Sequence, residues 1–233
     1  MHHPDHDASP FNALPPIVVV LVAIIGGVEI ALQAGAAGLV GGAEAIGWRI
    51  QLIERFAFFD PVFEWMRAGG RWPLEGLMRF VTYPIVHYEI MHALFACVMI
   101  LAIGKFVGER FSAAAVLVLF LASAAMGALG YGLLLNEDRQ LIGAYPAIYG
   151  LLGAFTWTLF MGFGRSGENR LQAFRLIAVL MGLQLLFGLI GGGSGFDWVA
   201  DLCGFATGFL LSFVLSPDGP ARIRRWLEES RRR

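Results

Sequence analysis

Charged side chains are scarce in this sequence. Of its 233 residues, only 15% are Asp, Glu, Lys or Arg, whereas 57% are hydrophobic. An average soluble domain carries about 25% charged residues, so the composition excludes an ordinary soluble globular domain. The formal net charge of −1 also argues against nucleic acid as a partner, because nucleic-acid-binding proteins present a basic surface to the phosphate backbone.

Cysteine is nearly absent as well. Cys97 and Cys203 both fall within apolar runs and are interpreted as small packing residues rather than as a disulfide or a metal site. The first seven residues contain three histidines but no Lys or Arg, which argues against a signal peptide. We interpret residues 1–15 as a cytoplasmic tail, with metal binding by its histidines as the weaker alternative, and predict no metal and no cofactor.

Long apolar runs are the most abundant feature. Six runs are each about 20 residues long, which is enough to cross a bilayer: 16–38, 81–103, 113–135, 144–163, 171–190 and 197–215. The 30 glycines fit helices that pack closely in lipid. The sequence therefore predicts an all-α polytopic membrane protein, with one membrane domain of six transmembrane helices over residues 16–215.

Basic residues predict the orientation, because cytoplasmic loops are enriched in Lys and Arg. If both termini are cytoplasmic, eleven of the 17 basic residues lie in inner segments. The C-terminal tail, residues 216–233, begins at prolines that end the sixth run, and its arginines suit an anionic lipid surface; a general anchor without a specific ligand is the plainer interpretation. We predict a multi-pass protein of the cell inner (plasma) membrane, of bacterial type.

The segment between the first two runs, about residues 39–79, is too long for a structureless loop in a compact protein. It interleaves aromatic residues such as Trp48 and Phe63 with charged residues such as Arg49 and Glu64. This mixture predicts short amphipathic helices at the outer membrane surface, with aromatic rings at the depth of the lipid headgroups.

Four short motifs occur in order along the second, fourth and sixth runs. Their residues are Arg79, Thr82, His87 and His92; Gly104 and Glu109; Gly143, Tyr145, Pro146, Gly150 and Gly153; and Asp201, Gly204 and Gly208. In order and spacing they resemble the rhomboid family of intramembrane serine proteases, over residues 72–215. The resemblance implies a six-transmembrane-helix rhomboid-like bundle with an amphipathic outer loop between helices 1 and 2.

The catalytic positions implied by this resemblance hold other residues. The family has its serine nucleophile where this chain has Tyr145, and its histidine base where this chain has Asp201. Its two oxyanion donors, a histidine and an asparagine, correspond to His92 and Ala96. A tyrosine, with a pKa near 10, is rarely an acyl acceptor, and Pro146 after it has no backbone N–H. We therefore predict no catalytic residues and regard these positions as vestigial.

The alternative is a rhomboid-family intramembrane serine endopeptidase of an unusual kind. Ser194 stands in a second Gly-x-Ser-Gly sequence, but this stretch is interpreted as a flexible glycine-rich loop. Ser123 is isolated in the third run and is interpreted as a helix-packing hydroxyl. A proton or ion pathway is weaker still, because few carboxylates or histidines line the predicted bundle.

Two carboxylates lie within apolar runs, where an ionisable side chain needs a partner or water. For Asp201 we hypothesise a hydrogen bond with Tyr145, and possible contact with His92, that closes the vacated site; contact with interfacial water is the alternative. For Glu29 we predict a structural hydrogen bond to a neighbouring helix or to the outer loop. Gln33 lies one turn further along the same face.

The function most consistent with these features is that of a non-catalytic binder, scaffold or subunit. A rhomboid-like bundle without its Ser–His dyad would keep the lateral opening and the cavity that the resemblance implies. We expect its partners to be transmembrane segments of other proteins in the lipid bilayer, with membership of a membrane complex as one form of such binding.

Overall fold

The computed structural model describes residues 13–135, 139–191 and 197–219, with isolated positions at 221, 224 and 228. Within these ranges the chain is almost entirely helical. The α-helices are α1 (Pro16–Ala36), α2 (Trp48–Phe56), α3 (Asp60–Gly69), α4 (Leu74–Thr82), α5 (Ile90–Gly108), α6 (Ala113–Leu134), α7 (Tyr145–Ser166), α8 (Arg175–Gly191) and α9 (Asp197–Leu215). Most of both predicted tails lies outside the described residues.

Five of the described helices, α1, α5, α6, α7 and α9, are long and apolar enough to cross a membrane. Helix α8 occupies the remaining predicted run, but it follows a 3-10 turn at Arg170–Phe174 and has 17 residues. That length is below the roughly 20 residues that span a bilayer. The all-α polytopic class is therefore confirmed, and the count of six spans stays a prediction.

The second predicted run begins too early. Instead of starting at residue 81, α5 starts at Ile90, and α4 ends at Thr82 before a 3-10 turn at Tyr83–Ile85. Pro84 explains the break, because it has no N–H to donate to the carbonyl four residues earlier and so cannot continue the α-helix. Consequently His87 lies outside the membrane-spanning helices, in an extended stretch that leads into α5.

The connecting segment, residues 37–89, joins α1 to α5 and contains α2, α3 and α4, as predicted for short helices in this region. A two-residue strand, Phe58–Phe59, pairs antiparallel with Gln140–Leu141, which precede α7. Arg79 and Thr82 donate hydrogen bonds to backbone carbonyls near the end of α2, Arg79 to Glu54 and Ala57 and Thr82 to Phe56. These bonds hold α4 against the end of α2, and the strand pair joins the connecting segment to the residues before α7.

The core is built around α7, which packs most extensively against α9 and also against α6 and α5. A Cβ added at Gly208 would collide with the carbonyl oxygen of Gly150, and one at Gly204 with that of Pro146. Gly153 is equally close to the backbone of α9 at Phe205. Small residues allow such backbone contact between membrane helices, so α7 and α9 form a closely packed pair.

Gly104 and Glu109, two other motif residues, lie at the C-terminal end of α5. Gly104 faces the side chain of Val18 on α1, where an added Cβ would lie 3.2 Å from the valine Cγ2. Glu109 caps the end of α5 and pairs with Lys105 one turn earlier.

Both cysteine thiols are free, and Cys203 contacts Gly130 across the α6–α9 interface.

Helix α8 is packed much less than α7. Among the described residues, α8 contacts mainly the preceding 3-10 turn and α9. Leu176, Val179, Leu183 and Leu186 are each more than 40% exposed. The bundle therefore has a closely packed side at α6, α7 and α9, and a sparsely packed side between α8 and α5.

Candidate functional site

A cavity of about 240 Å³ lies at the end of the bundle where α7 and α9 begin. Its walls come from α5, α7, α8 and α9 and from the residues that flank them. The lining residues are Tyr88, His92, Leu141, Ile142, Tyr145, Pro146, Gln184, Asp197 and Asp201. Three of the four positions that the family resemblance relates to catalytic residues, 92, 145 and 201, thus meet at one site, although they come from three different helices.

Ala96 is the exception. It lies one turn after His92 on α5, is fully buried in the core, and is absent from the cavity wall. An apolar side chain of one carbon offers no hydrogen bond at this position. The structure therefore places a packing residue there.

Tyr145 is the first residue of α7, and its ring stacks on His92 with centroids 4.9 Å apart and an interplanar angle of 11°. Its hydroxyl donates a long hydrogen bond of 3.4 Å to the backbone carbonyl of His92. Pro146 follows in the first turn, where proline is tolerated because the N–H of that position has no intrahelical acceptor. The stacked pair closes one side of the cavity.

The backbone before α7 is bound to the connecting segment. The Ala144 N–H donates to Nε2 of His87 at 3.3 Å, and the Gly143 N–H donates to the carbonyl of Tyr83 at 3.1 Å. Gly143 has φ +94°, and a Cβ there would lie 2.7 Å from Cε1 of His92. Glycine meets both demands, since it adopts positive φ without strain and leaves room for the histidine ring.

His87 is held as a neutral hydrogen-bond acceptor. Its side chain is 1% exposed, and burial, helped by the nearby His92, lowers its pKa from 6.5 to about 4. Its ring lies 5.1 Å from that of His92, edge to face. A neutral imidazole bound in this way positions the loop before α7 and the ring of His92.

Asp201 is buried in α9, at 1% exposure. Its Oδ2 accepts a 2.7 Å hydrogen bond from Nε2 of Gln184 on α8, and Oε1 of Gln184 accepts from the hydroxyl of Tyr149 at 3.2 Å. Oδ1 of Asp201 has no hydrogen-bond partner among the described residues. Gln184 was not singled out from the sequence, although a lone polar residue in an apolar run was the available signal.

The hypothesis of a Tyr145–Asp201 hydrogen bond is wrong. The Tyr145 hydroxyl is bound to the backbone of His92, and the observed donor to Asp201 is Gln184. The physical reason is the stack with His92, which directs the phenol of Tyr145 towards α5. The alternative, contact of Asp201 with interfacial water, stays a prediction: the residue is buried but lines the cavity.

The prediction for Glu29 is confirmed. Both of its oxygens accept from the guanidinium of Arg49 in the connecting segment, at 2.7 and 3.0 Å, and Gln33 donates to Oε1 at 2.8 Å. Arg49 also donates to the backbone carbonyl of His87 at 2.6 Å. We call Glu29, Gln33, Arg49 and His87 the Glu29 cluster, which fixes α1 to two parts of the connecting segment, at α2 and just before α5.

Ser123, one of the two serines considered as alternative nucleophiles, does not line the cavity. Ser123 is fully buried and its side chain faces Gly150 across the α6–α7 interface. Ser194 lies outside the described residues. In the described ranges no group of three or more His, Cys, Asp or Glu side chains could hold a metal ion.

These features define a polytopic helical membrane protein with a cavity at one end of its bundle. The family model of the Rhomboid domain matches residues 74–218, more than half of the chain. The chain therefore belongs to the rhomboid family.

Three curated proteins show the same relationship at low identity. RHOMBOID-like protein 4 of Arabidopsis thaliana is 29% identical over 143 residues, 59% of this chain and 34% of that protein. The putative rhomboid protease YdcA of Bacillus subtilis is 28% identical over 147 residues, 63% of this chain and 69% of that protein. RHOMBOID-like protein 7 of Arabidopsis thaliana is 30% identical over 137 residues, 59% of this chain and 42% of that protein. The alignments thus span less than half of each plant protein.

Proposed function

We propose that this chain is a non-catalytic rhomboid-family protein that binds transmembrane segments of other membrane proteins. The observation that carries the proposal is the cavity between the start of α7 and α9, which lies beside the sparsely packed side of the bundle between α5 and α8. A transmembrane segment in the bilayer could reach the cavity from this side.

The groups in the cavity do not support acyl transfer. A serine hydroxyl becomes nucleophilic when a base within hydrogen-bond reach removes its proton, and none of the described lining residues is a serine. The Tyr145 phenol is stacked on His92 and bound to a backbone carbonyl. The carboxylate of Asp201 accepts from Gln184 and not from Tyr145, so no base is positioned to activate the tyrosine.

An oxyanion hole is not supported either. Such a site needs preorganised donors aimed at the developing negative charge. The Ala144 N–H is already bound to His87, Pro146 has no N–H to offer, and Ala96 is a buried apolar residue. The donors at the start of α7 therefore serve to fix the loop.

A serine-directed fluorophosphonate probe tests the absence of catalysis. Purified protein in bilayer discs should remain unlabelled under conditions that label a rhomboid protease with an intact serine. Labelling of any serine in the native chain would overturn the non-catalytic assignment. It would favour the alternative, an intramembrane serine endopeptidase, which is suggested by the name of the Bacillus subtilis relative.

Site-specific photo-crosslinking tests the binding role. We would place p-benzoylphenylalanine at Tyr88, which lines the cavity, and at Trp65, an exposed aromatic residue on α3 that is absent from the cavity wall. We expect crosslinks to a membrane protein, identified by mass spectrometry in native membranes, from position 88 and not from position 65. Equal crosslinking from both positions would contradict binding at the cavity.

The location and orientation are part of the same proposal. Lys105, Arg110 and Arg165 lie at the ends of α5, α6 and α7 that are remote from the cavity, and positively charged loops face the cytoplasm. We place the cavity on the outer side of the plasma membrane, with both termini inside. Labelling of an introduced cysteine at Glu44 by a membrane-impermeant reagent in intact cells tests this orientation.

A further inference from the structure

One hydrogen-bonding group in the cavity has no partner among the residues that the structure describes. Oδ1 of Asp201 is buried and unpaired among the described residues, while Oδ2 is bound by Gln184. Burying a carboxylate oxygen without a donor is costly, and native proteins pair nearly all buried polar atoms. The unpaired oxygen therefore indicates that a donor arrives from outside the described chain.

The hydroxyl donors around Asp201 are already used. Tyr88 donates to the carbonyl of Gln140 at 2.8 Å, Tyr145 donates to the carbonyl of His92, and Tyr149 donates to Gln184. Asp201 forms no ion pair in the described ranges, where Arg49 is bound to Glu29. Arg139 lies near Tyr88 at the rim but is exposed and absent from the cavity wall.

The rest of the cavity is suited to a positive charge. Asp197 lies one turn before Asp201, so the two carboxylates share a face of α9, and both line the cavity. Tyr88 and Tyr145 line the cavity and each stacks on His92. The face of a tyrosine ring that is not stacked on His92 can attract an ammonium or guanidinium group. The site thus combines a buried carboxylate, a carboxylate at the rim and aromatic rings.

We infer that the cavity receives the Lys or Arg side chain of a bound transmembrane segment, with Asp201 as its counter-ion. This inference rests on the proposed function. Ionisable residues within a bilayer pair with one another, and Asp201 lies one turn inside the first residue of α9. The partner segment therefore carries its basic residue one or two turns from the end of its span, at the membrane face that holds the cavity.

Host peptides that span the bilayer test the inference. We would prepare Leu/Ala segments with a single Lys, Gln or Glu at the matching depth and measure their binding to the full chain in lipid nanodiscs by fluorescence energy transfer. The Lys segment should bind on the order of tenfold more tightly than the Gln segment, because an unpaired ammonium in lipid is costly. The Glu segment should bind most weakly.

The protein variants assign the effect to Asp201. Asp201→Asn keeps an acceptor oxygen for Gln184 and removes the charge, so the Lys and Gln segments should bind to this variant equally. Thermal unfolding of the variant shows whether it is folded. Glu44→Gln removes an exposed charge from the same end of the molecule and should leave the Lys preference intact.

The outcomes separate the inference from the proposed function. Equal binding of Lys and Gln segments would overturn the counter-ion role and leave segment binding in place. If no segment binds, the proposed function fails, and butylammonium becomes the deciding probe. A rise in thermal stability with butylammonium that Asp201→Asn abolishes would support a cation site for a free amine, and no rise would overturn the cation site as well.

Discussion

Two carboxylates are buried in the membrane-spanning helices, and their surroundings differ. Glu29 on α1 has a bidentate partner in Arg49 and a further donor in Gln33. Asp201 on α9 has one neutral donor, Gln184, and one oxygen without a partner within the described ranges. Both oxygens of Glu29 accept hydrogen bonds within the chain, so this carboxylate stabilises the fold. Asp201 lines a cavity with one oxygen unpaired among the described residues, so its carboxylate is available to a ligand.

The helices around Glu29 are also more closely packed than those on the α8 side of Asp201. The Glu29 cluster joins α1 to two parts of the connecting segment, and α1 also packs against α5. Asp201 lies between the closely packed α7–α9 pair and the sparsely packed α8. The backbone contact at Gly150 and Gly208 keeps α9 fixed against α7, so adjustment to a ligand is expected on the α8 side.

The largest expected effect comes from breaking the Glu29 cluster. Arg49→Ala leaves the Glu29 carboxylate buried without its cation, and we expect a loss of about 3 kcal/mol in the free energy of unfolding, the lower end of the range for broken buried pairs. Unfolding in detergent or bicelles measures it. The matched control is Arg67→Ala, which breaks an exposed ion pair with Glu64 and should cost less than about 1 kcal/mol. Equal losses would remove the distinction between the two ion pairs.

The next effect is a pH dependence from His87, the most buried member of the same cluster. Burial lowers its pKa from 6.5 to about 4, so the folded state disfavours the protonated ring. This pKa shift lowers the free energy of unfolding as the pH falls from 6.5 towards 4 and has no effect above pH 6.5. At pH 4 the loss in the free energy of unfolding is about 3 kcal/mol. Unfolding measured between pH 7 and pH 4 tests it.

His87→Gln serves as the control for the pH experiment. The amide oxygen of glutamine can accept from the Ala144 N–H but does not titrate in this range. The slope of stability against pH between 6.5 and 4 should therefore be smaller than in the native chain. An unchanged slope would assign the acid sensitivity to other groups.

The smallest expected effect is at Asp201. Asp201→Asn retains an oxygen for the Gln184 amide and removes a charge whose second oxygen is unpaired, so the free energy of unfolding should change by less than about 1 kcal/mol. Glu29→Gln should cost more, because it leaves the Arg49 guanidinium without its carboxylate. Thermal unfolding of both variants in the same detergent compares them. A larger loss at Asp201 would make that carboxylate structural and reverse the comparison.

Part of the site could be predicted from the sequence. The resemblance of the motifs to the rhomboid family implied that His92, Tyr145 and Asp201 come together, and these three residues do line one cavity. Gln33 beside Glu29 indicated a polar pair because residues four apart share a helix face. The predicted hydrogen bond between Tyr145 and Asp201 is not formed. The position of a tyrosine along a helix does not determine the direction in which its phenol points.

Local properties of the sequence by themselves determined the membrane class, five of the spanning helices and the helical character of the connecting segment. Apolar length and helical periodicity act over 20 residues or fewer, so they can be read without knowing the fold. Only the tertiary structure decided that Arg49 binds Glu29, that Gln184 binds Asp201, and that His92 holds the ring of Tyr145. Each of these contacts joins atoms from separate helices or segments, and differences of an ångström or two in their placement decide which donor meets which acceptor.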